Sequence, residues 1–385
     1  MARTQQTTAF TIIYLCCLCL ILSACMMSSN QVITDKPSIT IENTGHVAAG
    51  KQDSQNKVAI LLPLTGTHAA MGQSMLNAAQ MALFDMGGDT ISLIPRDTKG
   101  TAQGAREAIT AAIRDGANII LGPLLGSSLA AIKPIAQSNN INIISFSTDQ
   151  SLANSSTFVI GLSPIAQTEQ IVKYAVSQRL KNFAIIAPND NYGDLVTQSF
   201  HSTLRQYAIE PIEILRFSSN ETAIINDIAQ LHGKNIDAVF MPVGGTLVET
   251  ISSTLSYHGL TPNKVTRIGT GLWDDPRIAK QPNIQGGIFA APSPMARTAF
   301  NKTYQETYKQ PPVRLATLAY DATALIAVLS KKNSLTTASL LNANGYTGMD
   351  GLFRLNSDGT INRQLAILSI QNNQITEQQA AALRF

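Results

Sequence analysis

Two short apolar runs, Val58-Ala59-Ile60-Leu61-Leu62 and Phe183-Ala184-Ile185-Ile186-Ala187, each end in a proline followed by a polar turn into a helical pattern. A run with no polar position suits a strand buried on both faces, as in a parallel sheet clad by helices. After the first run, strand and helix patterns alternate. A helix is expected from Met71 to Asp85, with apolar positions at Met71, Met75, Ala78, Ala82 and Phe84. A strand follows from Thr90 to Ile94, then a helix from Ala102 to Asp115 closed by Gly116. Further strands are expected at Asn118–Leu121, Ile141–Ser145 and Thr157–Gly161. Strands and helices alternating at this pace imply right-handed βαβ units and a parallel sheet.

The second run restarts the order. A helix over Gln167–Ser177 precedes it, and strands at Ile212–Phe217, Ala238–Met241, Arg267–Gly269 and Ile288–Ala290 follow it. Helices are expected from Ile224 and over Thr246–Tyr257, Thr298–Tyr308 and Leu315–Leu329, and the tail closes on a hairpin turning at Asp358-Gly359. The fold class is therefore α/β, with two doubly wound, Rossmann-like lobes. Abundant short apolar residues and few aromatics suit such a core.

The N-terminal segment is different in kind. Arg3 precedes an apolar stretch from Phe10 to Leu22, too short to span a bilayer but suited to a signal-peptide core. Leu22-Ser23-Ala24-Cys25 resembles a bacterial lipobox, which implies a signal peptide over 1–24 and lipid on Cys25. Met26, rather than Asp, follows that cysteine, and by the same resemblance implies the periplasmic face of the outer membrane. Residues 25–56 are rich in Ser, Asn, Gln, Asp and Lys and read as a flexible tether, with a reach on the order of 30 Å. All four cysteines lie at or before Cys25, so the remainder has no disulfide, thiol nucleophile or cysteine metal site.

Charge and motifs narrow the function. The net charge is +3, of which Arg3 supplies one, so no nucleic-acid partner is indicated. No HExxH, GxSxG, Walker A or GxGxxG motif is present, and Gly269-Thr270-Gly271 lacks a third glycine. His46, His68, His201, His232 and His258 form no i, i+4 pair. Asp274-Asp275 is the one adjacent acid pair of interest, and Asp275-Pro276 also reads as a helix cap followed by a first-turn proline. No enzyme, metal site or cofactor is expected.

Binding is better supported. Gly122 to Ser128 lies between a strand end and a helix start, where backbone N–H groups and the hydroxyls of Ser127 and Ser128 could hold a carboxylate. Those serines could equally cap the helix. The loop Ser145-Phe146-Ser147-Thr148-Asp149 offers Ser147 and Thr148 in the same crevice, and Tyr192 follows the first strand of the second lobe.

Pro63-Leu64-Thr65-Gly66, Gly126 to Ser128, Tyr192-Gly193-Asp194 and Tyr320-Asp321-Ala322 together resemble the type I periplasmic binding proteins of the leucine/isoleucine/valine group. Within that group, Asp97-Thr98-Lys99-Gly100, Ile120 to Leu124 and Asp350 to Arg354 are similar to a branch of lipoproteins named as penicillin-binding-protein activators. The resemblance implies one periplasmic binding protein-like domain over 57–385, with two lobes joined by three crossovers and a hinge that closes on a ligand. Lobe one would take about 57–163 and 291–345, and lobe two about 164–290 and 346–385.

For the pocket, the resemblance implies ligand contacts from Ser127 or Ser128, Thr148 and Tyr192, with Met71 where the receptors often carry an aromatic. The acid that pairs with an amino acid's ammonium should fall near Gly269 to Leu272; here Trp273 and Asp274 follow instead and are the ligand contacts expected from this loop, so that either Asp274 swings in or the ligand is not a free α-amino acid. Three functions are then open: a lipid-anchored activator docking on a penicillin-binding protein (a peptidoglycan synthase), the amino-acid receptor of an ABC transporter permease, or, remotely, a hydrolase.

Overall fold

The computed structural model describes residues 55–87, 91–218 and 221–385. The expected signal peptide 1–24, the lipidation site Cys25 and all but the last two residues of the expected tether 25–56 lie outside the described residues, and Asn56, expected in the tether, instead opens the first strand.

The first apolar run is β1 (Asn56–Leu62), an interior strand of a five-stranded parallel sheet. Its neighbours are β2 (Ile91–Asp97), β3 (Ile119–Leu121), β4 (Asn142–Ser145) and β5 (Thr157–Val159), in the order β2-β1-β3-β4-β5. Val58 sits opposite Leu93 on one side and Ile119 on the other. Val58 to Leu62 are fully buried because helices cover both faces. Helices α1 (Ala69–Asp85), α9 (Pro294–Tyr308) and α10 (Ala316–Lys331) pack on one face; α2 (Ala102–Arg114) and α3 (Gly126–Ser138) pack on the other. Each such buried aliphatic side chain contributes about 1.5–3 kcal/mol.

The second run, β6 (Phe183–Pro188), repeats this arrangement. With β7 (Glu213–Phe217), β8 (Ala238–Phe240), β9 (Thr266–Thr270) and β10 (Ile288–Ala291) it forms the parallel order β7-β6-β8-β9-β10, the same winding as the first sheet. Helices α4 (Pro164–Ser177) and α5 (Asn191–Arg205) cover one face; α6 (Glu221–Ile228) and α7 (Thr246–Tyr257) cover the other. Two antiparallel strands, β14 (Ala366–Gln371) and β15 (Gln374–Gln379), extend this sheet beyond β10. The echo between the two runs is thus a topological one: each opens a doubly wound unit and occupies the switch point where strand order reverses.

The chain passes between the units three times: from β5 into α4, from β10 into α9, and from the tail into β14. The last passage differs from the expected boundary at Gly345. A small antiparallel sheet, β11 (Tyr346–Gly348), β12 (Gly351–Leu355) and β13 (Ile361–Arg363), belongs to the first unit. Tyr346, Met349, Phe353, Leu355 and Ile361 are buried in that unit's core. The turn at Asp358-Gly359 docks on β5, with Val159 N–H donating to the Gly359 carbonyl at 2.9 Å. Alternate apolar positions on β12 therefore hold it under α10, and only the residues from β14 onward join the second sheet.

Element ends follow local chemistry. The strand expected at Thr90–Ile94 continues through Pro95 to Asp97, which is tolerated because β2 is an edge strand. Helix α9 starts at Pro294, four residues before the expected Thr298, with the proline in the first turn. Asp190 caps α5 by accepting the Gly193 N–H at 2.8 Å. A Cβ at Gly193 would lie 1.7 Å from the Pro188 carbonyl oxygen, so only glycine lets the strand turn this sharply into the helix. That turn sets Tyr192 at the carboxyl end of β6.

Candidate ligand-binding cleft

In a doubly wound sheet the free space for a ligand lies beyond the carboxyl ends of the strands. A cavity of ≈ 450 Å³ opens there, between the two units. The first unit and the passage out of it supply Thr148, Leu162, Arg314 and Leu315; the second supplies Pro164, Gln167, Tyr192 and the β9 exit from Thr270 to Asp275, Trp273 excepted. This volume lies within the usual range for small-molecule sites.

The β9 exit is held from two sides. Gln167 on α4 accepts the Gly271 N–H at 2.7 Å. The Tyr192 hydroxyl lies 3.3 Å from Thr270 Oγ1. Burial pushes the Tyr192 phenol above its ordinary value, so it stays a neutral donor or acceptor at physiological pH. Between these ties a short 3₁₀ turn, Gly271–Trp273, folds the indole inward. Trp273 is fully buried, donates Nε1–H to the Val243 carbonyl at 3.1 Å and packs against Phe289. A Cβ at Gly269 would stand 2.2 Å from the indole ring, so glycine there makes room for it. Trp273 is therefore a core residue and not the ligand contact expected of it: the apolar side of β9 has a hole that only an indole fills.

Asp274, the next residue, borders the cleft but is committed elsewhere. Arg297 Nη2 donates to its Oδ1 at 2.8 Å, and Arg297 Nη1 lies 2.6 Å from its Oδ2. Arg314 Nε donates to Oδ2 at 3.1 Å. The side chains of Asp274 and Arg297 are 5% and 9% exposed. Arg314 Nη1 reaches Asp350 Oδ1 at 3.0 Å, and Asp350 also accepts from the Thr317 hydroxyl at 2.7 Å. Burial works to raise the Asp350 carboxyl, but Arg314 and Arg363 outweigh it and hold it below the ordinary range. The result is a buried ion cluster that ties the β9 exit of the second unit to α9, α10 and the β11–β12 turn of the first. The other acid of the lining, Asp275, caps the short helix α8 (Pro276–Ala279) by accepting the Arg277 N–H at 2.8 Å, as the Asp-Pro pair implied. The Arg277 guanidinium holds its carboxyl below the usual range.

The cluster carries a pH signature. Asp321 on α10 is fully buried, accepts the N–H groups of Met349 at 2.7 Å and Asp350 at 3.4 Å, and is pushed up to about 7 by burial and by Asp350. Its ordinary value is 3.8. Between those values the native chain keeps a proton that the unfolded chain releases, so Asp321 makes stability fall as pH rises through that window. Asp350, whose value is depressed, acts only below the ordinary range and with opposite sign. Asp321→Asn is expected to flatten the decline of the urea midpoint between about pH 4 and 7. A decline as steep as in the parent chain contradicts this assignment.

Of the eight expected ligand contacts, the structure brings Thr148, Tyr192 and Asp274 to the cleft wall. Ser127 is exposed and Ser128 fully buried, with its Oγ 3.4 Å from the Thr101 carbonyl; neither caps α3. Ser147 is buried and accepts the Asp149 N–H at 3.1 Å, and Met71 packs on the first core. The two hydroxyl loops do meet: a Cβ at Gly126 would lie 3.5 Å from Ser147 Oγ. Gln167, Thr270, Leu272, Arg314 and Leu315 were not anticipated. Asp321 is the lone acid of α10, and the basic neighbour its burial calls for is Arg363; Arg314 serves Asp274 and Asp350 and had no such local signal. Among the described residues no group of three or more His, Cys, Asp or Glu could hold a metal ion.

A family model described as periplasmic binding protein matches residues 55–374. The uncharacterized protein RP748 of Rickettsia prowazekii is 28% identical over 170 residues, 44% of this chain and 45% of that one. The penicillin-binding protein activator LpoA of Glaesserella parasuis is 26% identical over 162 residues, 42% of this chain and 27% of that one. The chain thus spans less than half the length of either relative. The Leu/Ile/Val-binding protein BraC3 of Rhizobium johnstonii is 20% identical over 288 residues, covering 71% of this chain and 77% of its own length. Among solved structures, an ABC transporter substrate-binding protein from Sphaerobacter thermophilus superposes with a TM-score of 0.71 at 16% identity, over 86% of this chain and 98% of that one, a likeness of fold.

Proposed function

The chain belongs to the periplasmic binding protein family, and from that premise we propose that it is a non-catalytic periplasmic interaction protein, anchored by lipid on Cys25, that activates a penicillin-binding protein. The observation that carries this reading is the state of Asp274. The acid that follows the positions where an amino acid's ammonium would need a partner is already shared by Arg297 and Arg314, so its single negative charge is compensated before any ligand cation arrives. An ammonium buried without a partner costs several kcal/mol. The reading is supported further by the likeness to LpoA, which is named as a penicillin-binding protein activator. No helix among the described residues is long and apolar enough to cross a membrane, so anchoring in this reading rests on the lipobox. Met26 after the cysteine favours the inner leaflet of the outer membrane.

Biolayer interferometry of the full chain against a bifunctional penicillin-binding protein tests the proposal. Saturable binding is expected, and a flat response across the soluble range of the synthase defeats it. A second reading, a solute receptor for an ABC transporter, is favoured by the cleft itself and by the alignment with BraC3. Permease and ATPase genes beside this one would speak for it.

A further inference from the structure

After β15 the tail turns back toward the first unit. Ala381 still packs on the second core. Four residues on, the ring of Phe385 lies against the small sheet β11–β13. The Arg354 guanidinium of β12 stands 4.4 Å from the centroid of that ring, and a planar guanidinium stacks well on an aromatic face. A Cβ at Gly345 would be 2.7 Å from Phe385 Cε2, so the ring is seated directly over the turn into β11. Beside it, Gln364 Nε2 donates to the Arg384 carbonyl at 3.2 Å. Residues 383–385 thus bridge from the second unit to the first.

This bridge is separate from the ion cluster. The cluster reaches the small sheet at Asp350, just before β12, by way of Asp274 and Arg314. The tail reaches it at Arg354, four positions on, which is roughly 13 Å along a strand. Two bodies joined at one point can pivot about it, and a second contact set apart from the first removes that freedom. The two contacts also differ in strength. The side chains of Asp274 and Asp350 are 5% and 0% exposed. Phe385 is 37% exposed, and a cavity of ≈ 470 Å³ remains between the tail and the β11–β12 hairpin, lined by Thr347, Leu352, Leu383 and Phe385 among others. A cation–π contact at such a site shifts an equilibrium by about two- to five-fold, and the covered part of the ring adds a factor of similar size. The cluster is the lasting contact and the tail the one that lifts.

We propose that residues 383–385 form a releasable clasp. Seated on Arg354 and Gly345, they hold the two units in one arrangement. Lifted, they leave the ion cluster as a pivot about which the second unit swings. Opening of the cleft is then set by the tail as well as by any occupant of the cleft. The proposal goes beyond the activator reading and does not depend on it.

Spin labels on exposed helical positions read the distance between the units. Gln137→Cys on α3 is paired with Gln198→Cys on α5, and in a second chain with Ser253→Cys on α7, which covers the opposite face of the second sheet. Cys16, Cys17, Cys19 and Cys25 are changed to serine in the full chain, so that only the introduced pair takes label. Double electron–electron resonance of the labelled parent is expected to give one narrow distance for each pair. Phe385→Ala, a change at a part-exposed position that leaves both cores intact, should raise the share of displaced molecules at least about ten-fold, seen as a second distance. Arg354→Gln should raise it about two- to five-fold, and by nothing further on top of Phe385→Ala, because the ring is what the guanidinium holds. Two distances in the parent overturn the proposal. So do parent-like distances in the Phe385→Ala chain, or an Arg354→Gln effect that keeps its full size on top of Phe385→Ala. Synthase docking is read separately by the interferometry, so the failure of one proposal does not carry over to the other.

Discussion

Arg297→Met is expected to lower the stability of the chain by about 3–5 kcal/mol, seen as a fall in the urea midpoint at neutral pH with little change in slope. The size follows from what the variant leaves behind. Asp274 has a side chain 5% exposed and draws two of its three guanidinium contacts from Arg297. Without them, Arg314 alone must serve both Asp274 and the fully buried Asp350. A buried carboxylate that loses its partner keeps the full desolvation cost of its charge. The paired variant Arg297→Met with Asp274→Leu should recover most of the loss, because it removes the stranded charge along with the partner. A single-variant loss below about 1 kcal/mol is what an exposed surface pair gives, and it contradicts the burial assigned to this cluster.

Trp273→Ala is expected to cost a similar amount, about 3–5 kcal/mol, by opening a large cavity behind β9. The indole is fully buried, packs on Phe289 and sits over Gly269, and its removal also leaves the Val243 carbonyl without the Nε1–H donor. Circular dichroism during urea unfolding reads the loss. Trp273 is the chain's single tryptophan, so the parent protein reports its own burial. Its emission should be that of a dry site when native, and should move to longer wavelength only as the chain unfolds. A Trp273→Ala variant with unchanged midpoint would mean that the indole lies in the cleft after all.

The fold was legible because its determinants are local and periodic. The runs at Val58 and Phe183 have no polar position, so they declare burial on both faces, and the same pattern restarting at Phe183 announces a second unit. The tail was less legible. Its short antiparallel strands pair mostly with one another, only β14 reaching a distant strand, β10, and nothing local says that Phe353 and Leu355 face the first core while Ile367 and Leu368 face the second. The cleft was legible only where backbone chemistry points to it: Thr148 after β4, Tyr192 on a turn that demands Gly193, and Asp274 after β9. Ser127, Ser128 and Ser147 carry the right hydroxyls, but whether a hydroxyl faces a cleft or a neighbouring carbonyl depends on tertiary packing. Arg314 depends on it more strongly. Its partners lie 36 and 40 residues away in the chain, at Asp350 and Asp274, so spacing along the sequence could not reveal the cluster.

The proposed function takes the two units facing each other across a cleft, with Asp274 already paired from within, as the frame of a protein that works by docking rather than by carrying amino acids. The measurement that bears on this most directly is the rate of glycan-strand synthesis by a bifunctional penicillin-binding protein, reconstituted with and without the full chain and with no amino acid present. The rate should rise and saturate as the chain is added. An unchanged rate, together with saturable micromolar binding of leucine, isoleucine or valine to the chain alone, would contradict the account.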